Sequence, residues 1–156
     1  MTTSKASVTV EFEVPFHDVD QLGVVWHGHY YKYMELARTE LLRSLELEVS
    51  QIRELGYRLY VIETKCRHSC PLRYADRAAV TARLRDVDNR INIAYTITNL
   101  TENRRSARGH TILCSTDAEG NLLLETPKPL LDRLLPDVDT DVAHRDDSGD
   151  STAESG

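Results

Sequence analysis

The sequence predicts an α+β fold: one long central helix wrapped by an antiparallel sheet of five to six strands. Two observations carry this. A helical-period apolar stripe of any length occurs once, between about residues 28 and 46, while most of the remaining body alternates with period two. Turn signals such as Asp88-Asn89 and Asp117 to Gly120 separate the alternating runs, which suits hairpins rather than crossovers.

In chain order, Val8, Val10, Phe12 and Val14 alternate with polar partners and predict a half-buried first strand. From Gly28 to Glu46 the period becomes helical. Tyr30, Tyr33, Met34, Ala37, Leu41 and Leu45 share one stripe, with Lys32, Glu35, Thr39, Arg43 and Glu46 away from it. A short second helix is expected over Val49 to Leu55, ended by Gly56. Residues 59–70 then place Ile62, Thr64, Cys66, His68 and Cys70 on one strand face. Ala78, Val80, Ala82 and Leu84 form the next strand, and Ile91, Ile93, Tyr95 and Ile97 return from the Asp88-Asn89 turn. Residues 105–116 add another strand, and a last hairpin leads to Leu122–Leu124. Pro127 and Pro129 introduce a closing helix. A sheet wrapped on one helix leaves open edges, so pairing with a second copy, as a homodimer or a tetramer, is expected.

Composition bounds the rest. At 156 residues the chain makes one domain, expected over 1–136, and no run of about 18 apolar residues is present to span a membrane. The amino-terminal segment lacks the apolar region of a signal peptide. Three cysteines, an odd number, do not make a disulfide framework, which suits a cytoplasmic protein. The net charge of −6 sits entirely in residues 137–156, where seven acids face the single base Arg145. That segment has few apolar residues and is expected to be a disordered acidic tail without a catalytic part. No phosphate-binding glycine loop and no aromatic-plus-basic stripe for nucleic acid is present.

The chemistry concentrates in residues 16–45. Asp18 and Asp20 lie on a loop after the first strand, Gly23 permits a tight turn, and Trp26-His27-Gly28 leads into the helix. Free backbone N–H groups at a helix start favour a developing oxyanion, so a carboxylate held beside them suits acyl chemistry. Taken alone, Asp20 also fits a plain turn-capping role. Asp18 reads as a structural hydrogen-bonding residue of the loop. The His27 imidazole either orients Asp20 or fills the pocket wall. Arg38 and Glu40 lie too far along the helix to act at its start and read as a structural ion pair or a dimer contact. A metal reading competes for His17, Asp18, Asp20, His27 and His29. It lacks the helical i, i+4 histidine pair of zincins, and Cys66, His68 and Cys70 are spaced too widely along a strand to share one tetrahedral ion.

The run Asp18-Val19-Asp20-Gln21-Leu22-Gly23-Val24-Val25-Trp26-His27, with Tyr30 and Ala37-Arg38-Thr39-Glu40, resembles the signature of hotdog-fold acyl-CoA thioesterases. The group is the 4-hydroxybenzoyl-CoA thioesterase family, and the match is nearest its Tol–Pal-associated branch. Cys70-Pro71-Leu72-Arg73-Tyr74-Ala75-Asp76 extends the likeness, which covers roughly residues 8–134. The resemblance implies a hotdog fold, no cofactor, and active sites at a subunit boundary. Its catalytic acid, three residues before the glycine, falls on Asp20. Its oxyanion donor, the backbone N–H four residues after that glycine, falls on His27. Gly23, Val25, Trp26 and Tyr30 are then expected at the substrate. Phe16-His17-Asp18-Val19 departs from the aromatic and acid or threonine usual before the active acid.

A thioester needs little help with its leaving group, since the parent thiol has a pKa of about 8.5. Asp20 would either attack the carbonyl carbon, giving a mixed anhydride that water hydrolyses, or activate water as a general base. The substrate would be acyl-CoA, or an acyl group on the phosphopantetheine arm of an acyl-carrier protein. Three alternatives stand beside this: a hotdog hydratase or dehydratase, whose paired Asp–His or His–Glu has a different spacing; a non-catalytic acyl-thioester binding protein; and a metal-dependent hydrolase.

Overall fold

In the computed structural model, which describes residues 5–136, five strands form one antiparallel sheet. They are β1 (Ser7–Glu13), β2 (Tyr57–His68), β3 (Arg77–Asp86), β4 (Ile91–Asn99) and β5 (Arg104–Asp117), in the order β1-β3-β4-β5-β2. Three α-helices accompany them, α1 (His29–Ser44), α2 (Val49–Glu54) and α3 (Lys128–Leu134), with a single 3-10 turn over Phe16–Asp18. The acidic segment 137–156 lies outside the described residues.

The period-two reading sets the faces of the sheet. Val80, Ala82 and Leu84 of β3 and Ile91, Ile93, Tyr95 and Ile97 of β4 are buried on the inner face. The stripe of α1 lies against them through Tyr30, Tyr33, Met34, Ala37 and Leu41, all 2% exposed or less. Burying side chains of this size contributes roughly 1.5–3 kcal/mol each before the entropy of ordering them. At Gly109 of β5 the Met34 side chain of the helix packs directly on the backbone. A Cβ there would lie 3.2 Å from the Met34 sulfur and would collide with the Lys65 carbonyl, so only bare backbone fits.

The structure departs from the sequence pattern in four places. Helix α1 stops at Ser44, short of the expected Glu46, because Glu46 takes a left-handed φ of 57° and Leu47 N–H turns back to the Leu42 carbonyl at 2.8 Å. Strand β2 starts two residues early and ends at His68, so Cys70 is not on the strand. Ile62 sits at a register shift between Val61 and Glu63 and takes no place in the ladder, so the strict alternation expected there breaks. The hairpin turn at Asp117–Gly120 forms, with φ 90° at Gly120, but Leu122 makes only an isolated bridge to Thr116. The sheet therefore has five strands, and the sixth considered for Leu122–Leu124 is absent among the described residues.

Helix α2 ends as its glycine signals, with Gly56 at φ 91° donating to the Arg53 carbonyl. Its start is fixed by the Gln51 side chain, which accepts from the Glu48 N–H at 2.8 Å. Glu40 pairs with Arg43 at 2.5 Å rather than with Arg38. Positions i and i+2 point to different sides of a helix, whereas i and i+3 adjoin.

Candidate active site

The loop between β1 and α1 is a small closed unit. A bridge between Val19 and Val25 pinches its ends, Asp20 N–H donates to the Val24 carbonyl at 2.9 Å, and Gly23 N–H donates to the Asp20 carbonyl at 3.0 Å. Gly23 has φ 78°, a conformation that costs an L side chain about 1 kcal/mol or more, which is why glycine serves there. Val25 N–H is tied across to the Leu72 carbonyl at 2.8 Å, fixing the loop against the segment after β2.

The two aspartates of this loop differ sharply. Asp18 is 1% exposed, and both of its oxygens are engaged by α1. Lys32 Nζ donates to Oδ1 at 2.6 Å and Tyr33 O–H donates to Oδ2 at 2.6 Å. His17 and His29 stand 3.7 and 3.8 Å from Oδ1. Burial by itself would raise the Asp18 carboxyl. The hydrogen bonds from Lys32 and Tyr33 and the charges of Lys32 and His29 outweigh it, so the net shift is downward. The Tyr33 hydroxyl is raised in turn, by its burial and by the carboxylate it serves. Asp20 is half-buried. Its Oδ1 accepts only from the Leu22 N–H, at 2.8 Å, among the described residues.

Asp20 lines a cleft of about 340 Å³. One wall is this loop and the start of α1: Asp20, Leu22, Val24, Val25, His27 and Tyr30. The other is the end of β2 and the turn beyond it: His68, Ser69, Cys70 and Pro71. Tyr30 spans the two. Its ring meets His68 edge-on at 4.5 Å, and its hydroxyl lies 3.4 Å from Ser106 Oγ, which donates to the Cys70 carbonyl at 2.5 Å. Burial pushes the Tyr30 hydroxyl up.

The six residues expected at the site do not all meet there. Asp20, Val25, His27 and Tyr30 line the cleft together. Gly23 and Trp26 do not: Gly23 shapes the turn behind Asp20, and the Trp26 ring, 45% exposed, folds over Gly28 between His27 and His29. Among the described residues no backbone carbonyl accepts from the N–H of His27 or of Gly28, so both donors at the start of α1 are free. Among those residues, too, no three His, Cys, Asp or Glu side chains gather as a metal-binding group.

The opposite wall does not show in the sequence pattern. Alternation puts His68 and Cys70 on one face of a strand running to residue 70, whereas the strand stops at His68 and the chain turns across the cleft. The available signal was Pro71, which has no N–H to give to a ladder.

Comparison with known proteins agrees with this fold. Residues 14–134 match the family model of the thioesterase-like superfamily. A protein of Aquifex aeolicus that bears a provisional esterase name is 28% identical over 121 residues, covering 78% of this chain and 92% of the relative. The provisionally named acyl-CoA thioesterase YneP of Bacillus subtilis is 32% identical over 76 residues, 49% of this chain and 55% of its own. Among solved structures, the 1,4-dihydroxy-2-naphthoyl-CoA thioesterase Slr0204 of Synechocystis superposes with a TM-score of 0.73 at 22% identity, over 85% of this chain and 98% of that one. That likeness is one of fold, hotdog-like with an antiparallel five-strand sheet. The match across the cleft loop, α1 and strands β2 to β5 settles membership: this chain belongs to the thioesterase-like superfamily.

Proposed function

We propose that this chain hydrolyses an acyl thioester to free acid and thiol, with Asp20 as the reacting carboxylate and the His27 backbone N–H as the oxyanion donor. The observation that carries this reading is local. A half-buried carboxylate and a backbone N–H at the start of α1 line the same cleft, the first with one donor and the second with no acceptor among the described residues. A thioester carbonyl placed between them has its carbon near Asp20 and its oxygen toward the helix start. Asp20 then either adds to the carbon, expelling thiolate and leaving a mixed anhydride for water, or takes a proton from the water that adds. In both routes negative charge grows on the carbonyl oxygen, and a fixed N–H there contributes about 3 kcal/mol. Gly28 N–H stands beside it as a second free donor.

Val25 and Tyr30 supply the acyl wall, Gly23 holds Asp20 in place, and Trp26, exposed beside the start of α1, meets the part of the substrate outside the cleft. The substrate is acyl-CoA or the same arm on an acyl-carrier protein, and the run from Asp18 to His27 supports a position near the Tol–Pal-associated branch. The catalytic unit is residues 1–136 built around the long helix α1, with 137–156 as an acidic segment outside it, and the setting is cytoplasmic. β2 is a sheet edge with Tyr60, Val61 and Ile62 exposed by 53%, 47% and 54%, which supports pairing with a second copy as a dimer or a tetramer of two dimers.

The test is thiol release by the purified chain over short, long and aromatic acyl-CoA and an acyl-carrier protein, with a chelator present. Turnover of at least one class supports the reading. Binding without release across the whole panel would reduce the chain to a carrier of acyl thioesters. Release that stops with the chelator would move the chemistry to a metal.

A further inference from the structure

The outer face of the sheet, turned away from α1, carries a basic trough that the cleft chemistry does not use. Its floor is Ala94 and Thr96 of β4. Arg83 and Arg85 of β3 stand on one side, and Arg108 of β5 with Lys65 and Arg67 of β2 on the other, enclosing about 380 Å³. The register makes this unavoidable. Arg83, Ala94, His110 and Lys65 follow one another across four strands, and Thr96, Arg108 and Arg67 follow one another in the next outward row. All five bases are exposed. Among the described residues none of them lies within ion-pair distance of a carboxylate. Glu63, the acid at the rim, is taken by His110 at 2.6 Å. Five like charges on one sheet face repel each other, and the two short side chains at the centre leave room for something negative between them.

The same chain holds a matching polyanion. Residues 137–156 carry seven acids against Arg145, whereas residues 1–136 are balanced at 18 acids and 18 bases. We propose that this acidic segment docks by charge in the basic trough of its own sheet, as a tethered polyanion that phosphate-bearing ligands must displace. Reach is not limiting. Twenty residues span up to roughly 65 Å when extended, against about 20 Å for the width of a five-strand sheet. The point of attachment is favourable as well. α3 is seated by Leu130 and Leu134 in the core, and the segment leading into it is pinned to the β3–β4 turn by Thr126 N–H on the Asp88 carbonyl, at the Arg85 end of the trough. A tether of this length gives an effective concentration on the order of millimolar, so weak multivalent pairing is enough. Such pairing needs no fixed fold in the segment and no apolar burial, which fits its composition. It also predicts a strong salt dependence, since exposed charges separated by more than about 8 Å are largely screened at physiological ionic strength.

The experiment uses the full-length chain and a variant in which all seven tail acids become Asn or Gln, a change that leaves the folded body untouched. Backbone amide spectra at low salt should differ between the two at Ala94, Thr96, Arg108 and His110, and not along α1. The differences should collapse at about 0.5 M salt and be independent of protein concentration. Inorganic tripolyphosphate should bind the neutralised chain about fivefold tighter than wild type at low salt. Arg83→Ser with Arg108→Ser should abolish that difference. Identical spectra, shifts centred on any other face, differences that vanish on dilution, or equal tripolyphosphate affinity would each overturn the proposal.

Discussion

Asp18 and Asp20 stand two residues apart on one loop and meet opposite environments. Asp18 points inward, is 1% exposed, and spends both oxygens on Lys32 and Tyr33 of α1. Asp20 points into the cleft and keeps one backbone partner, Leu22. A buried carboxylate with both oxygens bonded to a helix and a lowered pKa holds the loop in place and has no open face for a substrate. A half-buried carboxylate facing a cavity has. Residue type and sequence proximity therefore do not assign roles in an Asp-x-Asp pair. The direction each side chain takes from the loop does.

The largest expected effect separates the two on activity. Asp20→Asn should lower thioester turnover by about a thousandfold, as expected where a group acts at the transition state, while thermal unfolding stays within about a degree of wild type. Thiol-release rates and calorimetry on the same preparation check both halves. Turnover within a few fold of wild type would return Asp20 to the role of a turn cap.

Asp18→Asn should invert the pattern. It leaves Lys32 without its carboxylate and a weaker acceptor for Tyr33, so unfolding free energy should fall by about 2–3 kcal/mol, discounted because Lys32 is itself partly exposed. For a chain of this length that is roughly 5–10 °C in melting temperature. The sign with pH follows from the downward shift. The Asp18 carboxylate stabilises the fold above its ordinary value of 3.8, and that contribution is lost as pH falls from there through the lower native value. The gap in melting temperature between wild type and Asp18→Asn should therefore be widest near neutrality and close below about pH 4. A gap that is constant with pH would mean that packing, not charge, holds the loop.

A smaller effect is expected at the helix start. A Cβ on Gly28 would run into the Trp26 ring, which is exposed enough to swing aside. Gly28→Ala should displace the ring at a cost of about 1 kcal/mol or less. As Trp26 is the single tryptophan of the chain, its fluorescence reports the move directly. Unchanged emission would place the ring elsewhere in solution.

Much of this was legible in the sequence. The stripe from Tyr30 to Leu41 is the buried face of α1, and the β3 and β4 alternations give the inner face of the sheet residue by residue. What the pattern could not show depends on contacts distant in the chain or on single backbone angles. Lys32 reads as a solvent-facing residue off the stripe, and only the path of the loop brings Asp18 to it. The positive φ that ends α1 falls on Glu46, where no glycine marks it. The shift at Ile62 leaves no signature in a run of apolar residues. In the site, the loop wall was legible because its residues are contiguous. The His68–Pro71 wall was not, since it depends on where β2 stops and on the tie from Val25 to Leu72.

Whether Asp20 reacts or merely shapes the cleft is decided by equilibrium binding. The Asp20→Asn chain would be titrated calorimetrically with the acyl thioester that wild type turns over fastest. A reacting Asp20 requires affinity within about threefold of the wild-type KM together with the loss of turnover, since removing an interaction made only in the transition state leaves ground-state binding in place. Loss of binding in step with turnover, with the fold intact, would contradict it and make Asp20 a residue that builds the pocket.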